Sequence, residues 1–243
     1  MYNLLIALAA GAVAAVSVKL FGFPVWGGIA PGLIAFFGVF ILLGRRIAKR
    51  IQVINAAAQK ELESPSMKER ERQQRVQKAI KLLEEGLRYE RWQFLVGAEV
   101  HAQIGMIQYM MKDLEGAQSH FAKAHSRNYM ARALEGALHY QKKDYSKMES
   151  CFEQAVKSGK KEAVVWAAYA WCEQQRKEKD KALKIMARAV DANPSDDKLK
   201  AGLTALQNDK KLKMKGYEPM WWQFGLETPM EVARGPRVQF VRR

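Results

Sequence analysis

The chain has 243 residues, 49% of them hydrophobic and 27% charged, with a formal net charge of +15 and two cysteines. This length allows one medium domain with an anchor, or two small domains. Two cysteines exclude a disulfide framework, and the basic charge narrows electrostatically favoured partners to nucleic acid, anionic lipid and acidic protein.

Up to Leu43 the only charge is Lys19. Leu4–Val18 and Val25–Leu43 are apolar, and each approaches or reaches the roughly 17–25 residues that cross a bilayer as a helix. Lys19-Leu20-Phe21-Gly22-Phe23-Pro24 holds turn formers between them. The pattern predicts a transmembrane helical hairpin over residues 1–46. A cleaved signal peptide is the competing reading, since Ala12-Val13-Ala14-Ala15 imitates a cleavage site. Met1-Tyr2-Asn3 carries no basic residue, and a second apolar segment follows at once, which argues against cleavage.

Arg45, Arg46, Lys49 and Arg50 follow the second span and suit anionic headgroups. They outweigh Lys19, so the positive-inside rule puts both termini in the cytoplasm, with Phe23 and Trp26 at the outer interface. Ala7, Gly11 and Ala15 share a helix face, as do Gly28 and Gly32. Such spacing lets helices approach closely in lipid, between the two spans or between copies of the chain.

Residues 47–97 read as linking helices with a degenerate early repeat. Ile47–Lys60 continues the second span helically, and Ser64-Pro65-Ser66 breaks it. A helix from Met67 to Tyr89 carries the apolar stripe Val76, Ala79, Ile80, Leu83, Leu87. Ala79, Leu83 and Gly86 have the look of a repeat tract.

Over residues 98–195 the chain repeats itself. Ala117, Phe121 and Ala124 have the spacing of Met148, Phe152 and Ala155, and of Ala182, Met186 and Ala189; the offsets are 31 and 34 residues. Gly105, Gly136 and Ala170 sit upstream of each tract, where two helices would cross. Trp166, Tyr169 and the closing Pro194 complete the third unit. A period near 34 with this pattern resembles the tetratricopeptide repeat (TPR) family. The resemblance spans about residues 70–206, with departures: Met148 stands where Ala is usual, and the first two units lack the closing Pro. It implies an all-α fold, a TPR-like α-solenoid following the hairpin. A capping helix over 196–215, with Leu199, Leu203 and Leu206 inward, would close the stack. Residues 216–243 form an aromatic and basic tail without helical period. Tyr217, Trp221, Trp222, Phe224 and Leu226 crowd its first part, and Arg234, Arg237, Arg242 and Arg243 end it.

Catalytic patterns do not emerge. His101, His120, His125 and His139 show no metal-ligand spacing with a second His or Cys on one face. Cys151 and Cys172 form no CxxC and read as ordinary buried thiols of a reducing compartment. Phosphate loop, nucleophile elbow and paired-carboxylate motifs are missing from the sequence. The expectation is therefore a non-enzyme with no cofactor and no metal.

In the TPR family the first helices line a concave groove that receives peptides. The resemblance places Met106, Tyr109, Met110, Met130, Tyr140, Trp171 and Gln174 there, with Gln141 among their neighbours. The competing reading is inter-repeat core, to which Met and aromatic stripes more often belong. The Lys/Asn set by which some family members clamp a carboxylate has no counterpart here. Five large apolar groups in the tail make a sticky patch if left in water. They must pack on their own groove, another copy, another protein or the membrane. The Pro/Gly-flanked Trp pair favours a fixed protein pocket, and the expectation is a docking element over 217–226.

The sequence thus points to a membrane-anchored, cytoplasmic-facing protein-interaction scaffold. Its expected partners are subunits of a bacterial inner-membrane envelope, pilus or secretion complex, with anionic lipid and self-association beside them. A transient assembly factor for such a complex is the alternative. Membrane-associated nucleic-acid binding is a third reading, permitted by charge but supported by no recognised motif.

Overall fold

The computed structural model describes residues 1–22, 24–63 and 68–227. Phe23, the Ser64-Pro65-Ser66 break, Met67 and the terminal arginines Arg234, Arg237, Arg242 and Arg243 lie outside the described residues. Among those described, all regular structure is helical, as the repeat pattern requires, and the chain divides into two compact units, Met1–Ile104 and Gly105–Arg243.

The first unit opens with α1 (Tyr2–Leu20), a turn, a 3-10 turn at Val25–Gly28, and α2 (Ile29–Glu63). Gly22 takes a left-handed φ of 84° in the turn, a conformation open to a residue without Cβ. The two helices pack antiparallel through small residues. A Cβ on Gly11 would lie 2.8 Å from the Gly32 carbonyl, and one on Gly28 would lie 2.6 Å from the Ala15 carbonyl. The spaced small residues therefore join the two helices to each other. Their other faces stay apolar and outward: Val13 of α1 is 66% exposed, and Ile34 and Leu42 of α2 are 73% and 67% exposed. Both helices are long and apolar enough to cross a membrane. Past Leu43, α2 runs on without interruption through Arg45, Arg46, Lys49 and Arg50, all exposed, to Glu63.

A second antiparallel packing joins the late part of α2 to α3 (Glu69–Gly86), whose stripe Val76, Ala79, Ile80, Leu83 and Gly86 is buried. Gly86 lies where a Cβ would meet Val100 of α4 (Val96–Met110) at 3.1 Å and Ile51 of α2 at 3.6 Å. Between α3 and α4 the chain makes a 3-10 turn at Leu87–Tyr89 and then loops back to the beginning of α1. The amides of Tyr2 and Asn3 donate to the carbonyls of Arg91 and Trp92 at 2.9 and 3.3 Å. A helix start leaves such amides without intrahelical partners, and here the loop supplies them.

The second unit begins within α4. It continues through α5 (Leu114–Phe121), α6 (Tyr129–Gln141), α7 (Tyr145–Ser158), α8 (Ala163–Gln175), α9 (Lys179–Ala192) and α10 (Asp197–Gln207). Every tract residue named above is fully buried except Ala124. Gly105 and Gly136 are small because a Cβ would strike Phe121 and Phe152 at 2.9 and 2.8 Å. Phe152 in turn stacks on Tyr169 of the next pair, with ring centroids 5.1 Å apart. This close packing, rather than helix propensity, holds the pairs in register.

Each first helix ends in the same turn. Lys112, Lys143 and Lys177 have φ of 63°, 61° and 67°. Their amides bond back to Tyr109, Tyr140 and Gln174 at 3.0 Å, and the following amides reach Gln108, His139 and Glu173 at 2.9–3.0 Å. Such paired bonds around a left-handed residue close a helix. Asp113 and Asp144 then cap the next helices through Gly116 and Lys147 amides. The turn recurs at Asp209, φ 54°, after α10. Gly202, in the register of Gly105 and Gly136, lies against Met186. The expected capping helix is thus built as the first helix of a further pair. Leu199 is fully buried, whereas Leu203 and Leu206 are half-buried.

The exposed Lys143 carries a left-handed strain of about 1–2 kcal/mol that glycine would not. Lys143→Gly is expected to stabilise the repeats by about 0.5–1 kcal/mol once glycine's greater unfolded freedom is deducted. Gln154→Gly, at an exposed position inside α7, should destabilise them by about 1 kcal/mol. Thermal unfolding followed by circular dichroism separates the two signs.

Candidate functional site

The helix-pair offsets put Tyr109, Tyr140 and Gln174 at equivalent places on α4, α6 and α8. All three lie in the last turn of a first helix, three residues before the left-handed lysine. Trp171 lies one turn earlier on α8. Residues in equivalent positions of stacked helices line up across the stack, so these side chains form one row within the second unit.

The tail crosses this row. After α10 the chain runs extended through Leu212, then makes two short 3-10 turns, Met214–Tyr217 and Met220–Phe224. Gln174 pairs with the extended part as a neighbouring strand would. Its amide nitrogen donates to the Lys210 carbonyl at 2.9 Å, and its carbonyl oxygen accepts from the Leu212 amide at 3.0 Å. The turns deliver the aromatic residues. Trp221 meets Trp171 edge to face, centroids 5.3 Å apart, and stacks on Phe224 at 5.8 Å. Tyr140 closes the other side of Trp171 at 5.9 Å. The Tyr109 hydroxyl donates to the Phe224 carbonyl at 2.5 Å and accepts from Gln141 at 2.8 Å. Gly225 then turns the chain with φ 57°.

Burial follows from this arrangement. Trp221 and Phe224 are 1% and 0% exposed. Tyr109 and Trp171 are buried, and Tyr140 and Gln174 half-buried. Removal from water raises the Tyr109 phenol above its ordinary pKa, so it stays a neutral donor at physiological pH. The indole of Trp221 keeps a polar partner in Glu227 at 2.9 Å, as a buried Trp N–H needs.

Of the expected groove residues, Tyr109, Trp171 and Gln174 contact the tail, Tyr140 packs against Trp171, and Gln141 bonds Tyr109. Met106 and Met130 are half-buried, and Met110 is 53% exposed. Of the tail residues, Trp221 and Phe224 enter the row, while Tyr217, Trp222 and Leu226 are half-buried. Tyr217 lies near Lys198 of α10, whose ammonium is 6.0 Å from its ring.

A polar frame holds α8 on its other side. Glu173, with no exposed surface, pairs with Arg176 at 2.8 Å, and Arg176 also reaches Glu149 at 2.9 Å. Lys181 joins Glu149 at 2.7 Å. Burial raises the Glu173 carboxyl pKa and the Arg176 charge opposes it. Arg188 grips Glu153 with two bonds of 2.7 and 2.9 Å.

One cluster escaped the sequence pattern. Glu135 and His139, one turn apart on α6, meet Cys151 of α7, with a donor atom of each within 4.8 Å of the others. Such donors can hold a soft divalent metal. Here Arg132 already lies 2.6 Å from the Glu135 carboxylate, and it also donates to the Phe121 and Ala124 carbonyls. Burial pushes the Cys151 thiol up to about 12 and lowers the His139 pKa. The carboxylate has its cation and the other two groups are held neutral, which is the arrangement of a buried ion pair inside a helix crossing. Cys151 and Cys172 are both free and buried.

Residues 104–215 match the family model for the tetratricopeptide repeat. No curated protein matches the chain significantly. Among solved structures, the chain is similar to one titled "MamA RS-1 ArsTM double mutant". That likeness has a TM-score of 0.47 and 18% identity, over 76% of this chain and 94% of that one.

Trp221→Ala removes the side chain that joins Trp171 to Phe224. Deleting a buried Trp costs about 3–5 kcal/mol, more than a short tail's few bonds can absorb. The tail is expected to leave the row while the helix pairs persist. Trypsin should then cut faster at the exposed Lys210, Lys211, Lys213 and Lys215, with the circular dichroism signal unchanged. Unchanged cutting would show that the tail is held by something other than this contact.

Proposed function

We propose that the chain is a membrane-anchored, cytoplasmic-facing protein-interaction scaffold whose repeat groove receives short aromatic segments, its own tail being the resident occupant. Repeats of this family are protein-binding modules, and the contact of Trp221 with Trp171, with the Tyr109 bond to the Phe224 carbonyl and the Gln174 bonds to Lys210 and Leu212, carries the reading for this groove. The row offers aromatic surface with a few fixed polar groups, the composition of a binding hot spot. A partner that presents a Trp-x-x-Phe segment in a turn would make the same contacts.

The anchor is supported by the outward apolar faces of α1 and α2. Helices buried in a water-soluble core would hide Val13, Ile34 and Leu42, which are 66%, 73% and 67% exposed. Orientation rests on Arg45, Arg46, Lys49 and Arg50 against Lys19. The proposed setting, a bacterial inner-membrane envelope, pilus or secretion complex, rests on the hairpin-plus-repeat layout. A groove that its own tail can refill also suits a factor that holds a subunit and then lets it go.

A synthetic peptide of residues 211–227 tests the groove. It should bind the full-length Trp221→Ala/Phe224→Ala variant, whose row is vacated, and bind the unaltered chain far more weakly. Adding Trp171→Ala to the variant should abolish binding. Equal binding to all three proteins would remove the groove from the account. For the anchor, Phe21→Cys should react with a membrane-impermeant maleimide from outside intact cells. Labelling instead at a cysteine placed after residue 210 would reverse the topology.

A further inference from the structure

We infer that the loop over residues 88–95 is a second membrane contact, a side-on element that seats Trp92, Phe94 and Leu95 in the headgroup layer of an anionic bilayer. The inference rests on the anchor reading above and adds to it a surface outside the two spans.

The first observation is where the loop is tied. The amides of Tyr2 and Asn3 donate to the carbonyls of Arg91 and Trp92, the N-terminal ammonium also donates to Arg91, and the Tyr2 ring meets Trp92 edge to face at 5.4 Å. The loop is therefore bonded to the first turn of the apolar helix. At about 1.5 Å per residue, α1 is close to 28 Å long, nearly the hydrocarbon thickness. If α1 spans, Tyr2 lies at the boundary, and whatever is bonded to it lies there too.

The second observation is the level of the basic cluster. Gly11 faces Gly32 and Phe36, and Ala15 faces Gly28. Extending this antiparallel register brings Tyr2 opposite the end of the apolar part of α2, next to Arg45 and Arg46. The loop and the basic cluster thus share one level, the one that the charge bias assigns to the cytoplasmic headgroups.

The third observation is what the loop shows. Trp92, Phe94 and Leu95 are 37%, 64% and 41% exposed, and Arg88 and Arg91 are exposed beside them. Leu95 holds a left-handed φ of 71° where the loop turns into α4, and its carbonyl accepts from the Glu99 amide at 2.9 Å. Large apolar groups gathered with arginines have a natural place at the interface, where rings sit among headgroups and guanidinium groups meet phosphate.

The test uses the full chain in nanodiscs of phosphatidylglycerol and phosphatidylethanolamine. Spin labels are attached singly through Phe94→Cys, Val13→Cys on the outward face of α1, and Gln77→Cys on the exposed face of α3. The buried native thiols stay unlabelled. Power saturation with oxygen and with a neutral nickel chelate reads depth. The expected order is Val13 in lipid, Gln77 in water, and Phe94 between them, with oxygen access raised and nickel access cut severalfold relative to Gln77. Exchanging the anionic lipid for phosphatidylcholine should return part of the nickel access at Phe94. Phe94 behaving as Gln77 while Val13 reads lipid would overturn the loop contact and leave the anchor standing. Exclusion of both reagents at Phe94 would mean a protein cover, and also overturns it. Val13 behaving as Gln77 would remove the anchor and the loop contact together.

Discussion

A stack of helix pairs always ends in a helix face made to be covered. Each pair buries one side on its predecessor and offers the other to its successor, so the last one must be closed by something unlike itself. In this chain the closure is built from two parts. The helix α10 repeats the design of a first helix, down to Gly202 at the crossing and the left-handed Asp209 after it. The partner helix that should follow is replaced by the extended segment and 3-10 turns of the tail. Those turns do not return along the outside of the stack. They cross the row of first helices and bury Trp221 and Phe224 there. The requirement to finish the solenoid and the occupation of its groove are met by one stretch of chain.

This has consequences for binding. A segment joined to its receptor by a dozen residues acts at an effective concentration in the millimolar range. Under the proposed function, a competing partner would have to exceed that through affinity, local concentration, or contacts outside the groove. The polar groups along the row set the terms. Gln174 matches backbone rather than side chain, and Tyr109 donates to a carbonyl that any residue would supply at that position. In the proposed function, sequence preference would come from Trp171, which meets a tail ring edge to face and is itself backed by Tyr140. For the proposed function, backbone-directed bonds beside aromatic anchors would make the groove selective for shape and tolerant of the remainder of a ligand.

The helix pairs were legible because their signal is repeated: a small residue at 105, 136 and 170 and tracts at matching offsets say the same thing three times. The same register carried a further sign, the Lys-Asp, Lys-Asp and Lys-Glu pairs at 112–113, 143–144 and 177–178, which mark the left-handed turns. Read with Gly202 and Asp209, it would have identified α10 as a first helix. The hairpin was legible from composition, and the tight approach of Gly11, Gly28 and Gly32 follows its small-residue spacing. The tail was different. That it had to pack followed from five large apolar groups in ten residues, but the surface that receives Trp221 is assembled from helices 50 to 112 residues upstream, and no periodicity connects them. Nor could spacing bring Cys151 to Glu135 and His139, or the 88–95 loop to the start of α1. In each case the partners belong to separate elements, and only packing brings them together.

The central claim is that the tail fills the groove of its own chain. A photo-activated benzoyl group placed at position 222, half-buried beside the row, tests it directly when unlabelled and nitrogen-15-labelled full-length protein are mixed before illumination. The account predicts crosslinks from residue 222 to peptides of α6 or α8, each pairing two segments of the same isotopic composition. Crosslinks that pair labelled with unlabelled peptides, or crosslinks to none of these helices, would contradict it.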